Sequence, residues 1–197
     1  MGDAERRGAG AKQMTARDYS QLVGREICDA LARTDEQQVE TLLDMIEAAG
    51  CIFVGGAGRS LMMMQAFAMR LMHIGFDSYV VGETTTPAIT ANDLLIAGSG
   101  SGRTRMTLAL VEAAAARGAR TAVITGHPDS PLAAAADHCL HLHAPVVFVN
   151  AERPTRQPPG TLFEQSLLAQ GDAMILMLMH RRGTTEEHIR RRHTKFE

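Results

Sequence analysis

The chain is poor in cysteine: 197 residues contain only Cys28, Cys51 and Cys139, with no Cys-x-x-Cys. An odd, widely spaced set supports neither a disulfide framework nor a zinc cluster, and it fits a reducing cytoplasm. Charge of one sign is lacking too. Twenty Lys and Arg stand against 22 Asp and Glu, a formal net charge of −2, which argues against nucleic acid or an anionic membrane as the main partner. No apolar run reaches the ~18 residues of a membrane span. Residues 1–7 are charged with no apolar stretch behind them, so no secretory signal is expected. Position 6 is Arg6 rather than Ser or Thr, so myristoylation of Gly2 is not expected. Neither a Gly-x-x-x-x-Gly-Lys-Ser/Thr loop nor a Gly-x-Gly-x-x-Gly loop with a later acidic residue occurs, which removes the usual ATP and dinucleotide cradles.

What is present is a pair of Gly- and Ser-rich loops, each behind a short apolar run. Cys51-Ile-Phe-Val leads into Gly55-Gly-Ala-Gly-Arg-Ser60, and Leu94-Leu-Ile-Ala leads into Gly98-Ser-Gly-Ser-Gly-Arg-Thr104. A buried strand that empties into a glycine turn and then a helix is an anion cradle. The glycines let backbone approach an oxyanion, and the helix start offers unpaired N–H groups and a partial positive charge. Ser60, Ser99, Ser101 and Thr104 add hydroxyls, which suits a small phosphorylated ligand.

The apolar fraction is 45%, enough for one core of ordinary globular composition. Residues 1–12 read as a flexible tail and 13–197 as a single domain. Helices are expected over 13–33 and 35–48. Short strands at 51–54, 78–82, 94–97, 121–125 and 138–142 then alternate with helices at 60–74, 104–117 and 131–136. The alternation predicts an α/β fold, a doubly wound five-stranded parallel sheet with added N- and C-terminal helices. In the flavodoxin-like order 2-1-3-4-5, strands one and three are neighbours and send their helices to opposite faces, so both Ser-rich loops meet at the ligand crevice. Residues 144–160 hold four of the seven prolines and read as a long extended loop. An apolar helix at 162–181 and a charged one at 185–195 close the chain.

Several segments together resemble the sugar isomerase (SIS) domain and, within it, the 6-phospho-3-hexuloisomerases. They are Gly55-Gly-Ala-Gly-Arg-Ser60, Phe67-Ala-Met-Arg-Leu-Met-His73-Ile-Gly, Val81-Gly-Glu-Thr-Thr-Thr-Pro87, Ser99-Gly-Ser-Gly, Pro128-Asp-Ser-Pro-Leu132, Gly160-Thr-Leu-Phe-Glu164 and Arg192-His193. The resemblance implies a homotetramer, with a dimer as the alternative. It also implies interconversion of D-arabino-3-hexulose 6-phosphate and D-fructose 6-phosphate without metal or organic cofactor. An isomerase of another phosphosugar, such as a pentose phosphate, and a non-catalytic phosphosugar sensor are the competing readings. One residue departs from the family: Arg103 stands where the second loop usually has Glu. It reverses charge beside the proposed phosphate site.

Moving a carbonyl between C3 and C2 takes a proton off one carbon and returns it to the next, through a cis-enediol. One carboxylate over both carbons can shuttle it. The resemblance assigns this role to Glu164, at the start of the apolar helix, where partial desolvation would raise its pKa and the helix N-terminus would lower it. Thr161-x-x-Glu164 also fits a capping box, with Glu164 bonding back to the N-cap amide. The resemblance gives His193 a role at a neighbouring subunit's site; on pattern alone it is a solvated residue among Arg190, Arg191 and Arg192. Gly58, Arg59, Ser60, Glu83, Ser99, Ser101 and Thr104 are the candidate substrate contacts. Ser60 and Thr104 read equally well as helix caps. Glu83 reads equally as a loop carboxylate or one side of an interface salt bridge. His141 and His143 share a strand face but lack a third ligand at zinc spacing, so a structural role is expected.

Overall fold

The computed structural model describes residues 14–146 and 155–193. The expected tail at 1–12 and the middle of the proline-rich segment lie outside the described residues. Two helices, α1 (Ala16–Leu31) and α2 (Glu36–Ala48), precede the alternating region. Then come β1 (Ile52–Gly56), α3 (Gly58–His73), β2 (Ser78–Val80), β3 (Leu94–Ser99), α4 (Arg105–Ala115), β4 (Arg120–Thr125), α5 (Pro131–Ala135) and β5 (His138–His141). Helices α6 (Thr161–Arg182) and α7 (Glu186–Arg192) follow. All strand pairings are parallel and the sheet order is β2-β1-β3-β4-β5, as the alternation predicts.

The central strands β1 and β3 are short and almost wholly apolar because both faces of the sheet are covered there. Side chains alternate between two cores. Ile52, Val54, Leu94, Ile96 and Ile124 point to the layer formed by α2, α3 and α6, where they meet Leu42, Ile46, Met64, Leu71, Phe163 and Met174. Phe53, Leu95, Ala97 and Val123 point the other way, onto Val111 and Ala114 of α4 and Leu132 of α5. The register pairs Gly56 of β1 with Gly98 of β3, so the two Gly-rich loops leave the sheet side by side and diverge to opposite faces.

Polar anchors hold the elements to the sheet. His138 and the His141 amide both bind Gln38 of α2, through its carbonyl and its side-chain oxygen. The His141 and His143 rings lie 4.2 Å apart, the shared face that strand periodicity predicts. Arg190 and Arg191 pair with Glu186 and Glu187 along α7. Arg181, only five residues before Glu186, instead reaches across to Glu40, Asp44 and Glu47 of α2. The helix-on-helix contact, invisible in local spacing, wins over the nearer acids of α7.

Asp93 is the buried anchor ahead of β3. It is 6% exposed. Its carboxylate accepts from the Cys51 amide at 2.9 Å and from the amide and hydroxyl of Thr90, each at 2.7 Å. Burial raises its pKa, but these donors outweigh that and leave it below the ordinary aspartate value. An asparagine must turn its NH₂ toward one of the three donors and orphan it. Asp93→Asn should therefore cost about 1–3 kcal/mol in urea unfolding at neutral pH. Because the folded-state pKa is depressed, the gap to the parent should hold above the ordinary aspartate pKa of about 3.9 and shrink as pH falls through the lowered value.

Candidate active site

A cleft of about 270 Å³ opens where β1 and β3 end. Its floor is made by the second loop. Gly100 sits so close to the far wall that a Cβ would fall 2.6 Å from Val146 and 2.9 Å from the Phe163 ring, so only glycine fits. Ser99 is buried and its hydroxyl lies 3.1 Å from that of Thr104. The Ser101 hydroxyl accepts from the Arg103 amide at 3.3 Å. Ser60, Ser99, Ser101, Thr104 and Glu164 all line the cleft.

Three helices begin at this cleft, and none has a side-chain cap. The N-cap residues of α3, α4 and α6 are Ala57, Thr104 and Gly160, and among the described residues none of these helices has a side-chain cap hydrogen bond. All three N-cap residues line the cleft. The contrast lies within the same fold: α1, α2, α5 and α7 are capped by Thr15, Asp35, Ser130 and Thr185. A helix start leaves amides without intrahelical partners, and side-chain capping of them is worth about 0.5–2 kcal/mol per helix. Where caps are missing from three helices at one point, the N–H groups and the positive dipole ends are free for an anion.

Three capping expectations do not hold. Ser60 does not cap α3, because the helix begins earlier, at Gly58, with φ 55° at that glycine; Ser60 is its third residue. Thr104 occupies the N-cap position of α4, but its hydroxyl turns to Ser99 instead of the helix amides. The capping-box reading of Glu164 also fails. Gly160, at φ 84°, is the N-cap of α6 and Thr161 is already helical, so Thr161 and Glu164 are out of the register a box requires.

Freed from capping, the Glu164 carboxylate lines the cleft and meets Arg59 Nε at 2.5 Å. Its side chain is 15% exposed, against 59% for Arg59. One side chain of the pair is thus enclosed at the cleft wall while the other spans its solvent edge. Arg103 is exposed outside the cleft. Glu83 follows β2 at the same edge of the sheet but is exposed in a turn, its carbonyl accepting from the Thr86 amide, and does not line the cleft. His193 lies elsewhere in its own chain. It ends α7 and stacks on His73, ring centroids 5.1 Å apart. His73 closes α3, a sixteen-residue helix about 24 Å long, whose other end is at the cleft. Among the described residues no group of three or more His, Cys, Asp or Glu is placed to hold a metal ion.

Sequence reasoning passed over Ala57, Pro159 and Gly160. The signal for them was an omission: no Ser, Thr, Asp or Asn stands at the N-cap of α3 or α6.

Residues 45–156 match the family model described as the SIS domain. A Mycobacterium gastri protein named 3-hexulose-6-phosphate isomerase is 41% identical over 176 residues, covering 89% of this chain and 88% of that protein. A Bacillus subtilis protein of the same name is 36% identical over 185 residues, covering 93% and 100%. The crystal structure of a Methanococcus jannaschii protein, from which a 3-hexulose-6-phosphate isomerase function was inferred, superposes with a TM-score of 0.79 at 33% identity, covering 91% of this chain and 99% of that one.

An anion in the cleft binds the folded protein alone, so millimolar inorganic phosphate should raise Tm in a concentration-dependent way. Gly100→Val, which fills the floor, should abolish the shift. An equal shift in that variant would place phosphate elsewhere.

Proposed function

The chain belongs to the SIS domain family, and from that premise we propose that it interconverts D-arabino-3-hexulose 6-phosphate and D-fructose 6-phosphate. The observation that carries this reading is the single cleft in which three uncapped helix starts face one carboxylate. The phosphate sits on the amides and hydroxyls of the 57–60 and 98–104 loops, and the sugar chain extends toward Glu164.

Glu164 takes the C2 proton of the 3-ketose and returns it to C3. The C2 electrons form the C2=C3 bond of the enediol, and the carbonyl re-forms at C2. The accompanying oxygen proton moves from O2 to O3. Arg59, already bonded to Glu164, holds the carboxylate in place before substrate enters and then stabilises charge developing on the enediolate oxygens. In a homotetramer, a neighbouring copy's C-terminal helix would bring His193 to the cleft to move the oxygen proton, with Glu83 near the sugar hydroxyls. Exposed Met62 and Met69 on α3 and Leu168 and Leu176 on α6 give the copies an apolar face to share. The free thiols Cys28, Cys51 and Cys139 fit work in the cytoplasm.

Glu164→Gln should keep the parent's Tm shift with phosphate and lose about 10²–10⁴-fold in turnover of fructose 6-phosphate. Turnover near that of the parent would remove Glu164 from the chemistry. Mixing Glu164→Gln protein with His193→Ala protein, each inactive alone, should restore partial activity after subunit exchange, since some clefts then combine an intact Glu164 with an intact His193. Activity of His193→Ala protein on its own would show that His193 is dispensable.

A further inference from the structure

The strongest unassigned polar cluster lies just outside the cleft. Glu26 of α1 accepts three hydrogen bonds from three consecutive residues. The Thr155 hydroxyl donates at 2.5 Å, the Arg156 amide at 3.0 Å and the Gln157 side chain at 2.8 Å. The Gln157 amide also bonds the Thr155 hydroxyl at 3.0 Å, and Thr155 is 5% exposed. Burial raises the Glu26 pKa, but the amide of Arg156 and the side chains of Thr155 and Gln157 outweigh that and keep the carboxylate ionised.

The location of this clamp gives it a role. Between Gln157 and the first turn of α6 there is only Pro158-Pro159-Gly160. Proline fixes φ at two of these positions. Gly160 holds φ 84°, and the turn is closed by the Thr161 amide on the Pro158 carbonyl at 3.1 Å. The linkage is therefore stiff. It runs directly into the cleft wall, since Pro159, Gly160, Phe163 and Glu164 all line the cleft. Glu26 lies ahead of residue 45, where the family match begins.

We propose that Glu26 is a positioning residue: through residues 155–160 it sets where the first turn of α6, and hence the Glu164 carboxylate, stands over the substrate. The inference rests on the proton-transfer role proposed for Glu164. A carboxylate that must reach two adjacent carbons tolerates little displacement, and errors of about 1 Å far from the chemistry cost about 10²-fold in rate. Two of the three uncapped helix starts, those of α3 and α4, do not depend on this tie, so the Michaelis constant should change much less than kcat.

The test is Glu26→Ala, with Glu26→Gln and Thr155→Val as gentler variants that keep most of the packing. Glu26→Ala should lower kcat for fructose 6-phosphate about 10–100-fold, leave KM within about threefold, and raise amide exchange at 158–166 but not at 98–104. Glu26→Gln keeps two acceptor contacts and should recover most of kcat, with Thr155→Val between the two. Activity within twofold of the parent in Glu26→Ala would overturn the proposal. So would a kcat loss accompanied by exchange rising throughout the sheet, or one that Glu26→Gln does not relieve. If Glu164→Gln itself proves active, the proton-transfer reading falls. Amide exchange at 158–166 then still decides whether Glu26 orders the wall.

Discussion

Three helix starts left without side-chain caps converge at one point of this molecule, and the N–H groups they leave unpaired are the constraint around which the cleft is built. Everything that shapes the cleft serves that convergence. The sheet order sets β1 beside β3, so α3 and α4 start as neighbours yet run to opposite faces. The third start, that of α6, opens on the same cleft just behind Pro159. Each omitted cap forgoes about 0.5–2 kcal/mol. The fold caps its other four helices but leaves these three starts open at one cleft.

The same geometry leaves the Glu164 carboxylate facing the cleft. An acidic residue in a helix's first turn usually satisfies that helix. Here Gly160 takes the N-cap at a positive φ, which shifts the register by one residue and turns the carboxylate outward to Arg59. Position is then enforced from both sides: Arg59 from the cleft edge, and the wall behind it by the tie from residues 155–157 to α1. Glu26, which makes that tie, lies in the part of the chain ahead of the family match.

Much of this was legible in the amino-acid sequence, and for identifiable reasons. Strand alternation and glycine stops were strong enough to place the five strands, and the order followed from setting both Ser-rich loops at one crevice. The hydroxyls of Ser60, Ser99, Ser101 and Thr104 were recognisable because strand, glycine turn and helix follow one another locally. The misreadings came where one residue of register or a distant element decides. Ser60 and Glu164 were each a residue or more away from the capping position assigned by pattern. Arg181 chose acids on α2 over those of α7. The Arg59–Glu164 pair spans 105 positions, and no local spacing encodes it. The remoteness of His193 from its own chain's cleft depends on how α7 folds back on His73, which is a tertiary fact.

The central claim is that this cleft moves a proton between adjacent carbons of a phosphorylated ketose. The most direct measurement is NMR of fructose 6-phosphate incubated with the protein in deuterated water. The account predicts deuterium entering at C3 of the 2-ketose together with appearance of the 3-hexulose 6-phosphate. Fructose 6-phosphate that binds, as seen by a shift in Tm, yet shows neither exchange nor product would contradict it.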